Sequence, residues 1–533
     1  MHPALRGSFI RGALLGGAWA LLAVAAHAQS RGVTLLDAIR STLDRHPELK
    51  AQREAVNASR GLEEQAASKF DVLFAAGLDQ QRVNAPLQAA ERRSFLADGF
   101  SAVDSQASSL TSLTAGATKL YRGGLGLDLS TALTRTVDNL VYDAGVSRST
   151  IAAGLTIPMA AGRGRAVVAA DETAANLTTR STLLDVTHTT ARLVAATAAS
   201  YWNLAAAKKQ LEVTTGSEQR GRQFYDNLTA LVDADQVPRN DLHNVAANLA
   251  ERTGSRFAAE QLVVNFERDL AMSMGTDPAA LAAFPDAIDD LPPAPAGVPP
   301  LDEQTVDCLV QAALRNRADL QALRLRVQAA QVRATAARDR QRPRVDARVS
   351  VGYTGVRDGL GVDRYLGSLL EGQRGGDVQV GIRYAPQRPS LAAGEILETQ
   401  AAVREAELRV DDLDRSIRAS VVAAASAVRN GAARWRSASA SVAAFERALD
   451  GQREKLRLGM ASIVEVLTVE DRLTNALVRF VDAQLAYPKA VIDLRFATGT
   501  ILRPEQAADP FDLTVFFEAP ACPAPAGAAA PVR

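Results

Sequence analysis

The chain is poor in the residues that carry chemistry. Its 533 residues include five His and two Cys. That is too few for a disulfide framework or a crowded His/Cys metal cage. His46, His188 and His243 stand at no metal-ligand spacing to one another or to Cys308 and Cys522. No Gly-x-Ser-x-Gly, no phosphate-cradling loop and no His-Glu-x-x-His occurs, and Gly162-Arg163-Gly164 is too short for a nucleotide motif. The expectation is therefore no catalytic residues, no metal and no cofactor: not an enzyme. Net charge is also missing, since 60 basic residues balance 60 acidic ones. No bulk field draws nucleic acid, and no nucleic-acid partner is expected. Aromatics make up only 5% of the chain, which argues against several compact domains. Beyond the N-terminal region no segment reads as a transmembrane helix. The Ala-rich stretch Leu193 to Ala207 carries Trp202 and Asn203 and runs into Lys208-Lys209.

What is present begins with an address. Arg6 and Arg11 flank a basic region, an apolar run follows from Ala13 to Ala26, and Ala26-His27-Ala28 is a small-x-small cleavage pattern. Residues 1–28 read as a secretory signal peptide, with the mature chain starting near Gln29. The run is short for a membrane anchor, and no Cys follows it to carry a lipid. An exported chain without a spanning helix is periplasmic, secreted, or inserted as a barrel.

The chain then says the same thing twice. Leu35-Leu36-Asp37-Ala38-Ile39 with His46-Pro47-Glu48-Leu49 returns as Val306-Asp307-Cys308-Leu309-Val310 with Arg317-Ala318-Asp319-Leu320. Each copy opens on a helix, passes into strand-like segments, and comes back through long Ala-rich helices. Each ends on a similar triplet, Met274-Gly275-Thr276 and Thr498-Gly499-Thr500. The first repeat covers 29–290 and the second 301–502. The Pro-rich stretch 291–300 joins them as a stiff extended linker. Residues 503–533 form a low-complexity, partly disordered tail. Cys308, on the apolar side of a helix start, and Cys522, in that tail, read as independent thiols.

Six segments are strand candidates, and a period of two is clearest in the second repeat. In the second repeat, Val345 to Tyr353 alternates Val349 and Val351 with Arg348 and Ser350. Asp377 to Tyr384 alternates Val378, Val380 and Ile382 with Gln379 and Arg383. Each strand thus has one apolar and one polar face. A membrane barrel asks for this pattern, with Val349, Val351, Val378, Val380 and Ile382 toward lipid, although a half-buried soluble sheet alternates in the same way. The first repeat adds Phe70–Asp79, Leu113–Leu120, Leu125–Ser130 and Ile151–Pro158. The polar stretches Gln81 to Ser112, Thr136 to Arg148 and Thr354 to Gly376 read as outer loops. One copy has too few strands to close a barrel, so several chains must share one.

Long helical patterns follow each strand group: about Gly164 to Leu231 and Asn240 to Met274, then Ala392 to Leu458 and Val464 to Thr498. Helices of that length with small contact residues point to coiled-coil packing. Val232-Asp233-Ala234 and Leu458-Gly459-Met460 mark tight turns between the paired helices, with Pro238 or Gly459 as breaker.

The signal peptide, the two tandem copies and the turn Arg457-Leu458-Gly459-Met460-Ala461-Ser462-Ile463-Val464-Glu465-Val466-Leu467 together resemble the TolC-type outer-membrane efflux protein family. The resemblance covers about Thr34 to Leu502. It implies a mixed α and β fold in which a long α-helical coiled-coil barrel continues a transmembrane β-barrel shared by a homotrimer. It implies a place in the outer membrane, against its lipid, with the helical part in the periplasm. The implied role is the passive exit duct of a tripartite export system. A periplasmic adaptor (membrane fusion protein) and an inner-membrane transporter are the partners, and small molecules are the cargo. The alternatives are a duct for type I protein secretion or, from another class, a structural or adhesive surface trimer.

Family members commonly supply four strands per subunit, twelve per barrel. The extra pair around Leu113 to Ser130 either widens the barrel or forms an added hairpin. By resemblance Glu465, with Asp241 as its counterpart, takes the place of a pore-gate acid, although Thr468 stands where a second acid is expected. A solvated helix-start Glu is the plainer reading of Glu465. Leu458, Gly459 and Met460 fit the adaptor-docking turn, and Val232 and Ala234 fit its less regular counterpart.

Overall fold

The structure, a computed structural model, describes residues 32–99, 104–140, 142–234, 238–276, 285–292, 301–359, 367–368, 372–502, 513–520 and 522. The signal peptide, nearly all of the Pro-rich linker and most of the tail lie outside the described residues.

The first half opens with a two-residue strand, β1 (Gly32–Val33), and α1 (Leu35–Arg45). Thr34 caps α1 by accepting the Asp37 amide, and Leu35, Ala38, Ile39 and Thr42 recur at helical spacing on its buried face. Pro47, tolerated at a first helical position, starts α2 (Pro47–Ser68). Next come β2 (Val72–Pro86), a short α3 (Ala89–Ala97), β3 (Ser105–Leu120), β4 (Gly126–Asp138) and β5 (Val146–Pro158). A four-residue turn, α4 (Arg165–Val168), leads into α5 (Ala170–Asp233) and α6 (Arg239–Ser273). The second half begins after β6 (Asp286–Ala287), which pairs in parallel with β1. It runs α7 (Glu303–Asn316), α8 (Ala318–Arg340), β7 (Arg344–Asp358), β8 (Gln373–Ala385), α9 (Pro389–Arg457) and α10 (Ile463–Ala497).

The molecule is mostly helical, and two helices are very long. At 64 and 69 residues, α5 and α9 each reach about 100 Å at 1.5 Å per residue. Many of their buried positions are small: Ala174, Thr197, Ala198 and Ala205 to Ala207 on α5, and Val421, Ala424, Ala425, Val428 and Gly431 on α9. Small side chains let the helices approach closely. At Gly431 an added Cβ would lie 3.4 Å from the Tyr487 backbone of α10.

All six strand candidates belong to one antiparallel sheet, ordered β2-β3-β4-β5-β7-β8. The strands run further than side-chain polarity suggests. Arg82 pairs with Ser109 and Thr136 with Val146, inside stretches expected to be loops. Backbone hydrogen bonding, not side-chain character, decides where a ladder stops. The expected loop Gln81 to Ser112 therefore contracts, and α3 occupies its middle.

Two apolar clusters form the core at mid-length of the helices. One joins α7, α8, α9 and α10 through Leu309, Leu320, Ile417, Val428, Trp435, Tyr487 and Leu494. The other joins α1, α5, α6 and α10 through Leu35, Ile39, Tyr201, Trp202, Leu270 and Ile492. The Tyr201 hydroxyl accepts the Asp289 amide at 3.1 Å and lies 2.9 Å from Asp289 Oδ2. That ties the 285–292 segment to α5.

The C-terminal stretch corrects the sequence reading. Residues 513–520 fold against both clusters: Phe516 is fully buried in one and Ala519 packs on the other. Arg495 Nε donates to the Glu518 carbonyl at 2.8 Å. This return carries Cys522 to α7, where it forms a disulfide with Cys308, their Cα atoms 6.1 Å apart. The two cysteines are therefore not independent thiols. Apolar Phe516 and Phe517, rather than the Pro/Ala composition around them, decide the path of the segment.

Candidate channel wall and docking turns

The register sorts the sheet into two unlike faces. One carries Phe74, Leu78, Leu113, Leu129, Ile151, Leu155, Val349, Val351, Val378, Val380 and Ile382, with Arg82, Arg135, Arg357 and Arg374 at its end away from the helices. Most are solvent-exposed in the single chain, with Val378, Val380 and Ile382 each above 70%. Val349 pairs with Val380 and Val351 with Val378, so the five residues picked out by alternation share that face. The opposite face carries Asp79, Ser112, Asp128, Ser130, Thr134, Arg148, Arg348, Ser350, Asp377, Gln379 and Arg383, with occasional apolar residues such as Leu110.

Glycine gives the polar face its relief. A Cβ on Gly154 would come 2.5 Å from the Asp128 carboxylate, so that carboxylate lies across β5 and meets Arg348 of β7 at 2.9 Å. Asp377 lies over Gly352 in the same way. Both outer strands, β2 and β8, have a neighbour on one side alone.

At the far end of the helices are the two turns. The second is a Schellman motif: Met460 N–H donates to the Lys455 carbonyl at 2.8 Å and Gly459 N–H to Leu456 at 3.0 Å. Gly459 takes φ +69°, which Gly adopts without strain. Leu458 and Met460 point outward, 55% and 67% exposed. In the first turn Ala234 is exposed, and residues 235–237 lie outside the described residues. Val232 departs from its expected docking position. It is buried with Leu228, Val245 and Leu467, because α10 packs into the α5–α6 hairpin there.

Glu465 stands in the first turn of α10. Ser462 caps the helix by accepting the Glu465 amide at 3.3 Å. The carboxylate accepts from Gln452 at 2.6 Å and from the Ser462 hydroxyl at 3.2 Å, and stays exposed. Asp241 holds the matching place in the first turn of α6, half-buried.

A cluster that the sequence did not reveal lies one to two turns further along. Glu470, 1% exposed, takes Arg220 Nε at 3.1 Å, Arg252 at 3.5 Å and Arg453 at 3.6 Å. Arg252, itself buried, also holds Asp471 at 2.9 Å and the Ser217 carbonyl at 3.2 Å. Asn248 bridges Arg252 and Asp471. Four helices, α5, α6, α9 and α10, meet at this one carboxylate. In the sequence Glu470 is one acid among sixty, and no local spacing marks it as buried.

Residues 309–500 match the family model for outer membrane efflux proteins. Over those residues, about a third of the chain, it is similar to that family. Solved structures share its fold along nearly its whole length. The Campylobacter jejuni CmeC outer membrane channel has TM-score 0.64 and 12% identity, covering 87% of this chain and 85% of that one. The Vibrio cholerae outer membrane protein VceC has TM-score 0.61 and 16% identity, covering 87% and 96%. The open state of the Neisseria gonorrhoeae MtrE outer membrane channel has TM-score 0.61 and 15% identity, covering 87% and 88%. No curated protein matches the chain by sequence. Among the described residues no helix is long and apolar enough to cross a membrane.

Proposed function

We propose that this chain is an outer-membrane efflux protein, the passive exit duct of a tripartite export system. Three copies share one barrel in the outer membrane and continue it as a helical tunnel through the periplasm. The observation that carries this reading is the sheet, apolar on one face and charged on the other, with an unpaired edge on each side, joined directly to helices about 100 Å long. A lipid-exposed sheet edge is untenable in a bilayer, so a sheet in this setting must close with copies of itself. The two halves, each running from paired helices through strands to a long helix pair, act as duplicated units of the tunnel wall. The Pro-rich stretch 291–300 links them.

The turn Leu458-Gly459-Met460 docks a periplasmic adaptor through its two exposed apolar side chains. Ala234 adds to the dock, and Val232 supports it from beneath. Glu465, repeated around a threefold axis with Asp241 beside it, gives the entrance its cation preference. An inner-membrane transporter supplies the energy, and small molecules are the cargo.

The test is the size of the detergent-solubilised protein together with its planar-bilayer conductance. A trimer that conducts, and whose block by divalent cations weakens in Glu465→Gln, is expected. A monomer that stays in aqueous buffer and passes no current overturns the reading.

A further inference from the structure

Six strands per chain is more than a twelve-stranded barrel can use. In such a barrel each chain gives four strands, and β2 would lie beside β5 with the β3–β4 hairpin expelled from the wall. The register shows the opposite arrangement. β3 pairs with β2 from Ser105 to Lys119 and β4 pairs with β5 from Gly126 to Thr136, so the hairpin is stitched in on both sides. The faces continue through it unbroken. Leu113 and Leu129 extend the apolar face from Leu78 to Ile151, while Ser112, Asp128 and Ser130 extend the polar one. An expelled hairpin would present one apolar face to water and would leave β2 and β5 to find each other afresh.

The sheet cannot close on itself either. β2 and β8 are its two ends and do not pair with each other. Both are exposed along nearly their whole length, and six strands fall short of the eight that a filled small barrel needs. The occupant of each edge must offer a free strand of matching amphipathicity. A second copy of this chain offers one: its β8 runs antiparallel to β2 and carries Val378, Val380 and Ile382 on the face that Phe74 and Leu78 share. This is a heterologous contact, in which the β2 edge of one copy meets the β8 edge of the next and the ring closes by rotation.

We infer, resting on the trimeric duct proposed above, that the β3–β4 hairpin is part of the barrel wall, so that three chains close an eighteen-stranded barrel through β2–β8 contacts. Barrel diameter grows roughly in proportion to strand number. The lumen is then about one and a half times as wide as one of twelve strands at equal tilt. Its lining includes the Asp128–Arg348 pair, which expulsion of the hairpin would break by carrying Asp128 out of the wall.

Three substitutions separate this inference from the reading beneath it, with heat-modifiable trimer in outer-membrane fractions as the readout. Val380→Lys puts a charge on the lipid face of β8 and is expected to cut assembled trimer at least tenfold, whatever the strand count. Leu129→Lys, on the same face of β4, is expected to do so only if the hairpin is in the wall. Ser130→Lys, its neighbour on the polar face, is expected to assemble at near wild-type yield. Assembly of Leu129→Lys at full yield while Val380→Lys fails overturns the eighteen-stranded barrel and leaves the duct standing. Full-yield assembly of Val380→Lys overturns both. An image of the full-length trimer in lipid nanodiscs supplies the direct count. Eighteen strands are expected, and twelve with β2 beside β5 refutes the inference.

Discussion

Gly275 rests against the backbone of His46. A Cβ at Gly275 would come 2.7 Å from His46 Cα, and the residue holds φ +66° as the last turn of α6 closes. The second half repeats the contact with other residues. Gly499 holds φ +69° at the end of α10, and a Cβ there would lie 3.2 Å from Arg317 N. In both places the end of a long helix seats on the start of a shorter one, α2 or α8. Gly275→Ala adds a left-handed conformation for a non-Gly residue to a backbone clash, together about 1–3 kcal/mol. Gly459→Ala shares the positive φ, but nothing lies within 4 Å of its Cβ position. Thermal melting of the purified protein should therefore show a clearly larger fall for Gly275→Ala than for Gly459→Ala. Equal shifts would mean that the contact with His46 carries no weight.

These glycines also show how much was legible. The triplets Met274-Gly275-Thr276 and Thr498-Gly499-Thr500 stood out in the sequence, as did His46-Pro47 and Arg317-Ala318. Their pairing in space did not, because nothing in a one-dimensional pattern says which helix end meets which start. The long helices were readable to within a few residues, since a 3.6-residue period sustained over sixty positions is a strong signal. The strands were found but drawn short, because Arg82, Thr134 and Arg135 look like loop and yet sit in a ladder. The faces of β7 and β8 were readable from alternation alone. Burial of Val232 and Glu470 was not, since both depend on α10 wedging against the α5–α6 hairpin.

Removing Glu470 should cost more than removing its exposed neighbour. Glu470→Ala removes the buried carboxylate that three arginines share: Arg220 loses a 3.1 Å bond, and Arg252, buried, is left with Asp471, Asn248 and Ser217. Breaking one side of a buried pair costs about 3–5 kcal/mol. Asp471 is 44% exposed at its side chain, so for Asp471→Asn the expected loss is about 1 kcal/mol or less. The double variant Glu470→Leu with Arg252→Met should regain much of the loss, because neither fully buried charge remains, and Arg220, Arg453 and Asp471 are each partly exposed. Denaturant melts of the four proteins check the order, and a loss for Glu470→Ala no larger than for Asp471→Asn would refute it.

The disulfide fastens a strap. Cys308 and Cys522 are 214 residues apart in sequence, and cross-links that close long loops constrain the unfolded chain most. An oxidising periplasm permits the bond to form and persist. Cys308→Ser with Cys522→Ser should lower stability by about 2–5 kcal/mol, and reductant should bring the wild type to the same midpoint. Phe516, buried in the second cluster, should keep the strap partly seated without the bond. Phe516→Ala in the Ser/Ser background should then expose 513–520 to protease. Unchanged melting under reductant would show that packing alone holds the strap.

Acid should loosen the helical part through histidine. Burial pulls the His188 imidazole below its ordinary 6.5, with Asp319 opposing and Arg317 and Arg192 adding to the fall. Burial lowers His46 in the same direction. Above pH 6.5 both the folded and unfolded forms are neutral at this site. Below it the unfolded chain takes up the proton first, so stability falls with pH until the folded pKa is passed. Asp185 also faces His188, and burial raises its pKa, which works the other way at lower pH. The clean readout is therefore a difference: between pH 7.5 and 5.5 the wild-type melting midpoint should drop more than that of His188→Gln. Parallel curves would remove His188 from the acid response.

The exposed turn makes the most direct functional prediction. Leu458 and Met460 contribute little to the fold, since their side chains stand in solvent while the Schellman bonds run through the backbone. Leu458→Asp with Met460→Asp should therefore leave trimer yield and melting almost unchanged. An adaptor that docks on apolar side chains would lose them and meet two charges instead, a mismatch of several kcal/mol at a desolvated contact. Cells carrying the variant should become as sensitive to exported toxic compounds as cells lacking the gene, and the adaptor should no longer co-purify after cross-linking. Val232→Asp, by contrast, buries a charge among Leu228, Val245 and Leu467 and should reduce trimer yield itself. If the double-Asp protein assembles, retains the adaptor and restores full tolerance, the turn is a structural loop and docking must be sought elsewhere on the helices.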